Sequence, residues 1–212
     1  MQIQMPLYNS FELDKNKSFY IWEIKESYQK LEKEVNLSLN DKKKLESIKF
    51  VQRKKEFLAS RNLFSFAKLQ NKSLKYNKDG GPELDNGKYI SITHCENFAG
   101  IAIGDNKIGF DLEIYREKIF AIAPKFLNET EKFIYEFNSV IKGLTLIWTA
   151  KEAIYKAVSD KGISFKNNII ISPFKNEQKK GLAKVYLNQK EMQFSVNFII
   201  EKNFCGTVAH IN

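Results

Sequence analysis

Residues 139–160, SVIKGLTLIWTAKEAIYKAVSD, constrain the fold of this chain more than any other stretch. Leu144, Ile147, Trp148, Ala150, Ile154, Ala157 and Val158 fill most of the circumference of the helix they predict, so that helix must be enclosed on more than one side. The same stretch nevertheless carries Lys151, Glu152 and Lys156. Glu152 and Lys156 lie one turn apart on the stripe that holds Trp148. On a polar helix they would read as a surface ion pair worth a few tenths of a kcal/mol. On a helix this apolar, a site at the junction of two lobes is the better reading.

A second motif supplies acids that such a site would need. In IGFDLEI (108–114), Asp111 and Glu113 are two apart on a predicted strand and share one face, while Phe110, Leu112 and Ile114 take the other. Adjacent carboxylates repel unless a cation or water separates them. Taken alone, the pattern also fits a strand with one wet face. With Glu152 added, three carboxylates and a nearby lysine suit a hard cation such as Mg²⁺ that also binds a substrate phosphate. Phosphoryl chemistry needs little more, because its catalysis is mostly positioning and charge neutralisation. His94, at the end of YISITH, is one of only two histidines.

Around these motifs the chain alternates helical and extended stretches. FYIWEI (19–24) is extended, and a short helix is predicted near 26–35. A long helix is predicted from a cap at Asn40 or Asp41 through FLASRNLFSFAKL to about residue 70. A cluster of turn residues, YNKDGGPELDNG (76–87), precedes three strand-like segments at 88–94, 98–104 and 107–113, with GDN between the last two as a hairpin signal. REKIFAIAPKFL is expected to break near Pro124, and NETEKFIYEF opens with Asn128 as cap and Glu131 three residues on. Strands are predicted near 168–172, 182–188, 191–200 and 203–211. The expected fold is α+β, in two similar-sized lobes of helices packed on a small, mainly antiparallel sheet, with the active site at their interface. The lobes are placed at 1–104 and 105–212, although no sequence repeat relates them.

At 212 residues, 43% hydrophobic and 28% charged, the chain has the composition of an ordinary folded protein. No apolar run approaches the roughly 20 residues of a membrane span, and the start MQIQMPLYNSFELDK lacks a signal-peptide pattern. A cytoplasmic address follows as the expectation, with Cys95 and Cys205 as reduced thiols. The net charge of +9 favours anionic partners, but it divides evenly, +5 over residues 1–104 and +4 over 105–212. With no basic arm and no nucleic-acid motif, nucleic acid is not the expected partner. The densest basic run, DKKKLESIKFVQRKK (41–55), reads as the solvated face of an amphipathic helix.

SITH (91–94), IGFDLE (108–113) and WTAKEAIYK (148–156), in this order and spacing, resemble the motifs of the 4'-phosphopantetheinyl transferases of the larger, pseudo-dimeric Sfp type. The resemblance covers roughly residues 50–172, with YNKDGGPEL similar to the family's Gly-Lys-Pro turn and FLASRNLF to its preceding helix. It implies transfer of the phosphopantetheine arm of coenzyme A to a serine of an apo acyl or peptidyl carrier protein, releasing adenosine 3',5'-bisphosphate. By this resemblance Asp111, Glu113 and Glu152 would hold Mg²⁺, and Glu152 or a water would accept the serine proton. Lys156 would neutralise the pyrophosphate, and His94 with Thr93 would bind coenzyme A phosphates. Residues 159–167 match the carrier-docking region, where Ile163 and Phe165 would offer apolar contacts.

The chain departs from the family pattern at two basic positions. Gly81 stands where the turn carries lysine, leaving Lys78 as the substitute, and Ser65 stands where the helix carries arginine, leaving Arg61 or Arg53. A chain holding both lobes can work as a monomer. The alternative function is that of a non-catalytic relative that binds carrier proteins without modifying them.

Overall fold

The computed structural model describes residues 7–69, 74–78 and 80–212. The chain divides into two compact units, Met1–Asp105 and Asn106–Asn212, each with its own core. Both are α+β, built of helices on antiparallel sheets.

The first unit runs β1 (Leu7–Asp14), β2 (Lys17–Glu23), α1 (Tyr28–Glu34), α2 (Leu39–Ser47), α3 (Val51–Phe66), a short hairpin β3 (Leu74–Tyr76) and β4 (Pro82–Leu84), then β5 (Tyr89–Cys95) and β6 (Phe98–Gly104). Its sheet has the order β1-β2-β6-β5, all neighbours antiparallel. Helix α3 lies across β2, β6 and β5 and buries Leu58, Leu63 and Phe64 against Trp22, Ile101 and Leu31.

The single long helix expected over 40–70 is two helices. Ser38 caps α2 by accepting from the Asp41 N–H, and the chain is extended at Ile48 and Phe50 before α3 begins. The reason lies in a buried ion pair. In one continuous helix Asp41 and Arg61 would stand about 30 Å apart, whereas here Arg61 Nε donates to Asp41 Oδ1 at 2.9 Å. The Arg61 guanidinium also donates to Ser60 Oγ and Tyr76 Oη and stacks over Phe57, its centre 4.2 Å from the ring centroid.

The second unit runs β7 (Ile108–Ile114), α4 (Lys118–Phe126), a 3-10 helix over Glu129–Glu136, α5 (Val140–Val158), β8 (Ile169–Ile171), β9 (Lys180–Leu187), β10 (Lys190–Ile200) and β11 (Phe204–Ile211). The sheet order is β7-β11-β10-β9-β8, again antiparallel throughout. Helix α5 packs on β7 and β11 and is buried around most of its circumference, as its composition requires.

Three expectations for local structure need correction. GDN does not close a hairpin: β6 pairs with β2 and β5, β7 pairs with β11, and the turn joins one sheet to another. Both edges of β6 are already taken, so β7 has no place beside it. The real hairpin lies between β5 and β6, around Glu96 and Asn97, with Glu96 at φ 44. Helix α4 continues through Pro124 to Phe126 and closes with the Leu127 N–H on the Ala123 carbonyl at 2.8 Å. Proline removes one hydrogen bond there, near the end of a short helix, which costs less than in a helix interior. The segment after Asn128 has the capping box its sequence announces, but it winds as a 3-10 helix.

Candidate active site

The carboxylate face of β7 is the face that α5 lies across, and a glycine makes this possible. A Cβ on Gly109 would stand 1.8 Å from the Ala153 carbonyl oxygen of α5. The backbone of the helix therefore sits closer to the strand than any side chain would permit. Thr207 of β11, opposite Asp111 in register, bonds Thr149 of α5 at 2.9 Å between buried hydroxyls. Strand and helix are thus locked at the level of Asp111, which places Glu152 and Lys156 of α5 beside the two acids of β7.

Asp111 is buried, and its Oδ1 accepts from Lys156 Nζ at 2.7 Å. The same ammonium donates to the Phe110 carbonyl at 2.9 Å. The contact of Lys156 is therefore across to the strand. Glu113 and Glu152 are half-buried. Burial first, then the charges of Asp111 and Glu113, together push Glu152 up to about 7 against the opposing charge of Lys156. Burial and Asp111 likewise raise Glu113, against the Trp148 indole N–H that bonds it and the charges of Arg116 and Lys156. The three acids thus feel one another's charge, the signature of a group with too much negative charge for its surroundings.

Oxygen donors of this kind suit Mg²⁺, and excess negative charge is what a divalent cation offsets. As the side chains stand, no three His, Cys, Asp or Glu residues among the described ones are gathered as a metal cage. The ammonium of Lys156 holds the place beside Asp111.

Glu152's neighbour in sequence has a different part. Lys151 has no exposed side-chain surface and neither has Glu131, to which its Nζ is paired at 2.7 Å. The ammonium also donates to the carbonyls of Phe126 and Phe165, both at 2.8 Å. Glu131 accepts in turn from the backbone N–H groups of Asn128 and Ile171. One buried ion pair therefore ties α5 to the end of α4, the 3-10 helix, β8 and the segment that follows α5. Sequence reading took Glu131 only as a capping residue. The missed signal is that Lys151 falls on the helical stripe of Leu144, Ile147 and Ile154, where a solvated lysine has no room.

In the segment 159–167, Ser159, Lys161, Gly162 and Asn167 are exposed, while its apolar side chains turn inward. Ile163 is buried in the core of the second unit, so it offers no surface for docking. Phe165 is part-buried between Trp148 and Tyr155, with ring centroids at 5.5 and 5.3 Å.

The remaining expected residues lie in the first unit. Glu56, on α3, is buried, and its Oε2 meets Arg53 Nη1 at 2.9 Å and His94 Nδ1 of β5 at 3.0 Å. Burial pushes the Glu56 carboxyl up, but His94 and Arg53 outweigh it and hold the group below its ordinary value. Arg53 and His94 keep exposed surface, Thr93 is buried and Lys78 is exposed. Arg61 is 1% exposed and committed to Asp41, so it belongs to the core of this unit and not to a surface that could receive a cofactor. Sequence reading did not single out Glu56, which carries no motif of its own.

Residues 107–209 match the model of the 4'-phosphopantetheinyl transferase superfamily. The matched stretch is nearly the whole of the second unit and a little under half of the chain. The span takes in β7, α5 and β11, and with them Asp111, Glu113, Glu152, Lys156, Lys151 and Glu131. Among named proteins, enterobactin synthase component D of Salmonella typhi is 33% identical over 84 residues, 38% of this chain and 36% of that protein. The 4'-phosphopantetheinyl transferase gsp of Aneurinibacillus migulanus is 27% identical over 108 residues, 49% of this chain and 46% of that protein. The chain thus spans less than half the length of the curated relatives it matches. Its two α+β units accord with the larger branch of the superfamily.

Proposed function

We propose that this protein transfers the 4'-phosphopantetheine arm of coenzyme A to a serine of an apo acyl or peptidyl carrier protein. The reading is carried by the gathering of Asp111, Glu113, Glu152 and Lys156 from β7 and α5, inside the span that matches the superfamily. Asp111, Glu113 and Glu152 would hold Mg²⁺, which when bound supplies charge neutralisation at the pyrophosphate of coenzyme A. Lys156, paired with Asp111, would exchange that anion for the phosphate. Glu152 accepts the serine proton as the serine oxygen bonds to phosphorus. The P–O bond within the pyrophosphate breaks, and adenosine 3',5'-bisphosphate leaves with the electron pair.

In the first unit, His94 and Arg53 serve the phosphates of coenzyme A, with Thr93 fixing the strand end and Lys78 within the adjoining turn. The basic excess of the chain suits both a polyanionic cofactor and an acidic carrier. No helix among the described residues is long and apolar enough to cross a membrane, and Cys95 and Cys205 are buried and not joined in a disulfide. We place the activity in the cytoplasm, with the chain acting as a monomer.

The test is incubation with Mg²⁺, coenzyme A and the host's apo carrier proteins, followed by intact mass of the carriers. A gain of one phosphopantetheine arm is expected, and Asp111→Ala should abolish it while the far-UV spectrum stays that of the parent. No gain on any carrier would leave a protein that binds carriers without modifying them.

A further inference from the structure

We infer that Glu56 is a positioning residue that sets Arg53 and His94 as a two-pronged receptor for a phosphate of coenzyme A. The inference rests on the function proposed above and adds to it a residue that touches no substrate. Glu56 is 2% exposed, yet it is a carboxylate on the same helix as Arg53 and reached by a histidine from β5. A buried carboxylate is costly unless it is paired, and both of its partners are cations or potential cations. Their side chains remain open to solvent, 56% for Arg53 and 43% for His94. A single oxygen, Oε2, meets both, so the two heads are brought to one point.

The ring of His94 settles which of its nitrogens faces outward. Nδ1 lies 3.0 Å from Glu56 Oε2 and 2.9 Å from Arg53 Nη1. If Nδ1 accepts from Arg53, the neutral ring carries its proton on Nε2; if Nδ1 donates to Glu56, the ring is charged or its proton sits inward. An incoming phosphate selects the states with a proton on Nε2, because only these donate to it. Glu56 accepts from Nδ1 in the states where that nitrogen carries a proton. Arg53 spends Nη1 on Glu56 and keeps its other N–H groups for a planar, two-bond contact with phosphate. Without the carboxylate the two cationic heads would repel and separate, and each would bind phosphate alone.

The experiment measures transfer kinetics and coenzyme A binding for the full chain and for Glu56→Gln, which keeps size and removes the charge. The expected result is a rise of about tenfold in KM for coenzyme A, with kcat and the KM for the carrier within twofold of the parent. Calorimetric Kd for coenzyme A should weaken by the same factor. In the double variant Glu56→Gln/His94→Ala the loss should not exceed that of His94→Ala by more than twofold, since Glu56 acts through its partners. If the parent transfers the arm and Glu56→Gln leaves KM for coenzyme A unchanged, or if kcat falls with KM intact, the positioning role is overturned. Should Glu56→Gln fail to fold, Arg53→Ala and His94→Ala carry the test: KM for coenzyme A must rise in both, and the double variant must lose less than the product of the two. An additive loss, or no loss, overturns the inference. A parent chain that neither binds coenzyme A nor modifies a carrier would instead defeat the proposed function.

Discussion

Glu152 sits at the pH where its charge changes. Its folded value of about 7 stands above the ordinary 4.5, so the folded, metal-free protein holds this proton more tightly than the unfolded chain. The stability it contributes is fully present below pH 4.5 and is lost as the pH rises through about 7. Binding of Mg²⁺ needs the carboxylate and so expels the proton below pH 7. The expected outcome is a Mg²⁺-induced rise in Tm that is larger at pH 8 than at pH 6, read by thermal unfolding. An equal rise at both would remove Glu152 from the ligand set. Glu152→Gln should lower the transfer rate by at least about 100-fold, while its metal-free Tm at pH 8 equals or exceeds that of the parent.

The spacing of these residues was legible in the sequence because the periods of strand and helix set which side chains share a face. Asp111 with Glu113, and Glu152 with Lys156, were grouped that way, and the structure brings all four into one unit. What the sequence did not show is who pairs with whom. Lys156 at four residues from Glu152 invited an ion pair within the helix, and only the tertiary approach of β7 reveals Asp111 as its partner. Arg61 and Lys151 were hidden for the same reason. Their partners Asp41 and Glu131 lie 20 residues away in each case, and no local pattern connects them.

At the scale of elements, the contact between α5 and β7 depends on one missing methyl. Gly109→Ala would force the helix backbone off the strand, because the atom met at 1.8 Å is a carbonyl oxygen and cannot rotate away. We expect a loss of about 3 kcal/mol, at the upper end of overpacking, measured by urea unfolding, with Mg²⁺ binding lost even where the chain still folds. The buried pair of Lys151 and Glu131 is the second joint of α5. Lys151→Met should cost about 3–5 kcal/mol, because it leaves a buried carboxylate without its cation. Adding Glu131→Gln should recover part of that, since the amide oxygen can still accept one backbone N–H. A double variant no more stable than the single one would show that the charge of Glu131 is not what makes the loss.

Across the whole chain, the two units repeat one connection. In each, the strand before the helices pairs with the last strand, which pairs in turn with the one before it: β2 with β6 and β5, β7 with β11 and β10. The longest helix of each unit, α3 or α5, packs on that strand pair. The two differ in additions, β1 beyond β2 in the first and β9 with β8 beyond β10 in the second. This likeness was invisible in the sequence because each unit solves its packing with different residues. Gly109 admits α5, whereas β2 has no glycine. The even spread of the +9 charge bears on partners at this same scale. Raising salt from about 0.05 to 0.3 M shortens the range of that attraction, so the KM for an acidic carrier should rise several-fold. A KM indifferent to salt would assign carrier recognition to apolar contact.

The burial of Lys151 has one more consequence, and it concerns chemistry on the amine. Every reagent that acylates lysine needs an uncharged, accessible nitrogen, and this one is sealed among carbonyls and a carboxylate. Among the described lysines it alone is buried. In a mild acylation of the native protein, mass mapping should find Lys151 unmodified while surface lysines saturate. Its slow labelling would then clock the opening of the second unit itself, giving this chain a native reporter of unfolding that needs no added probe.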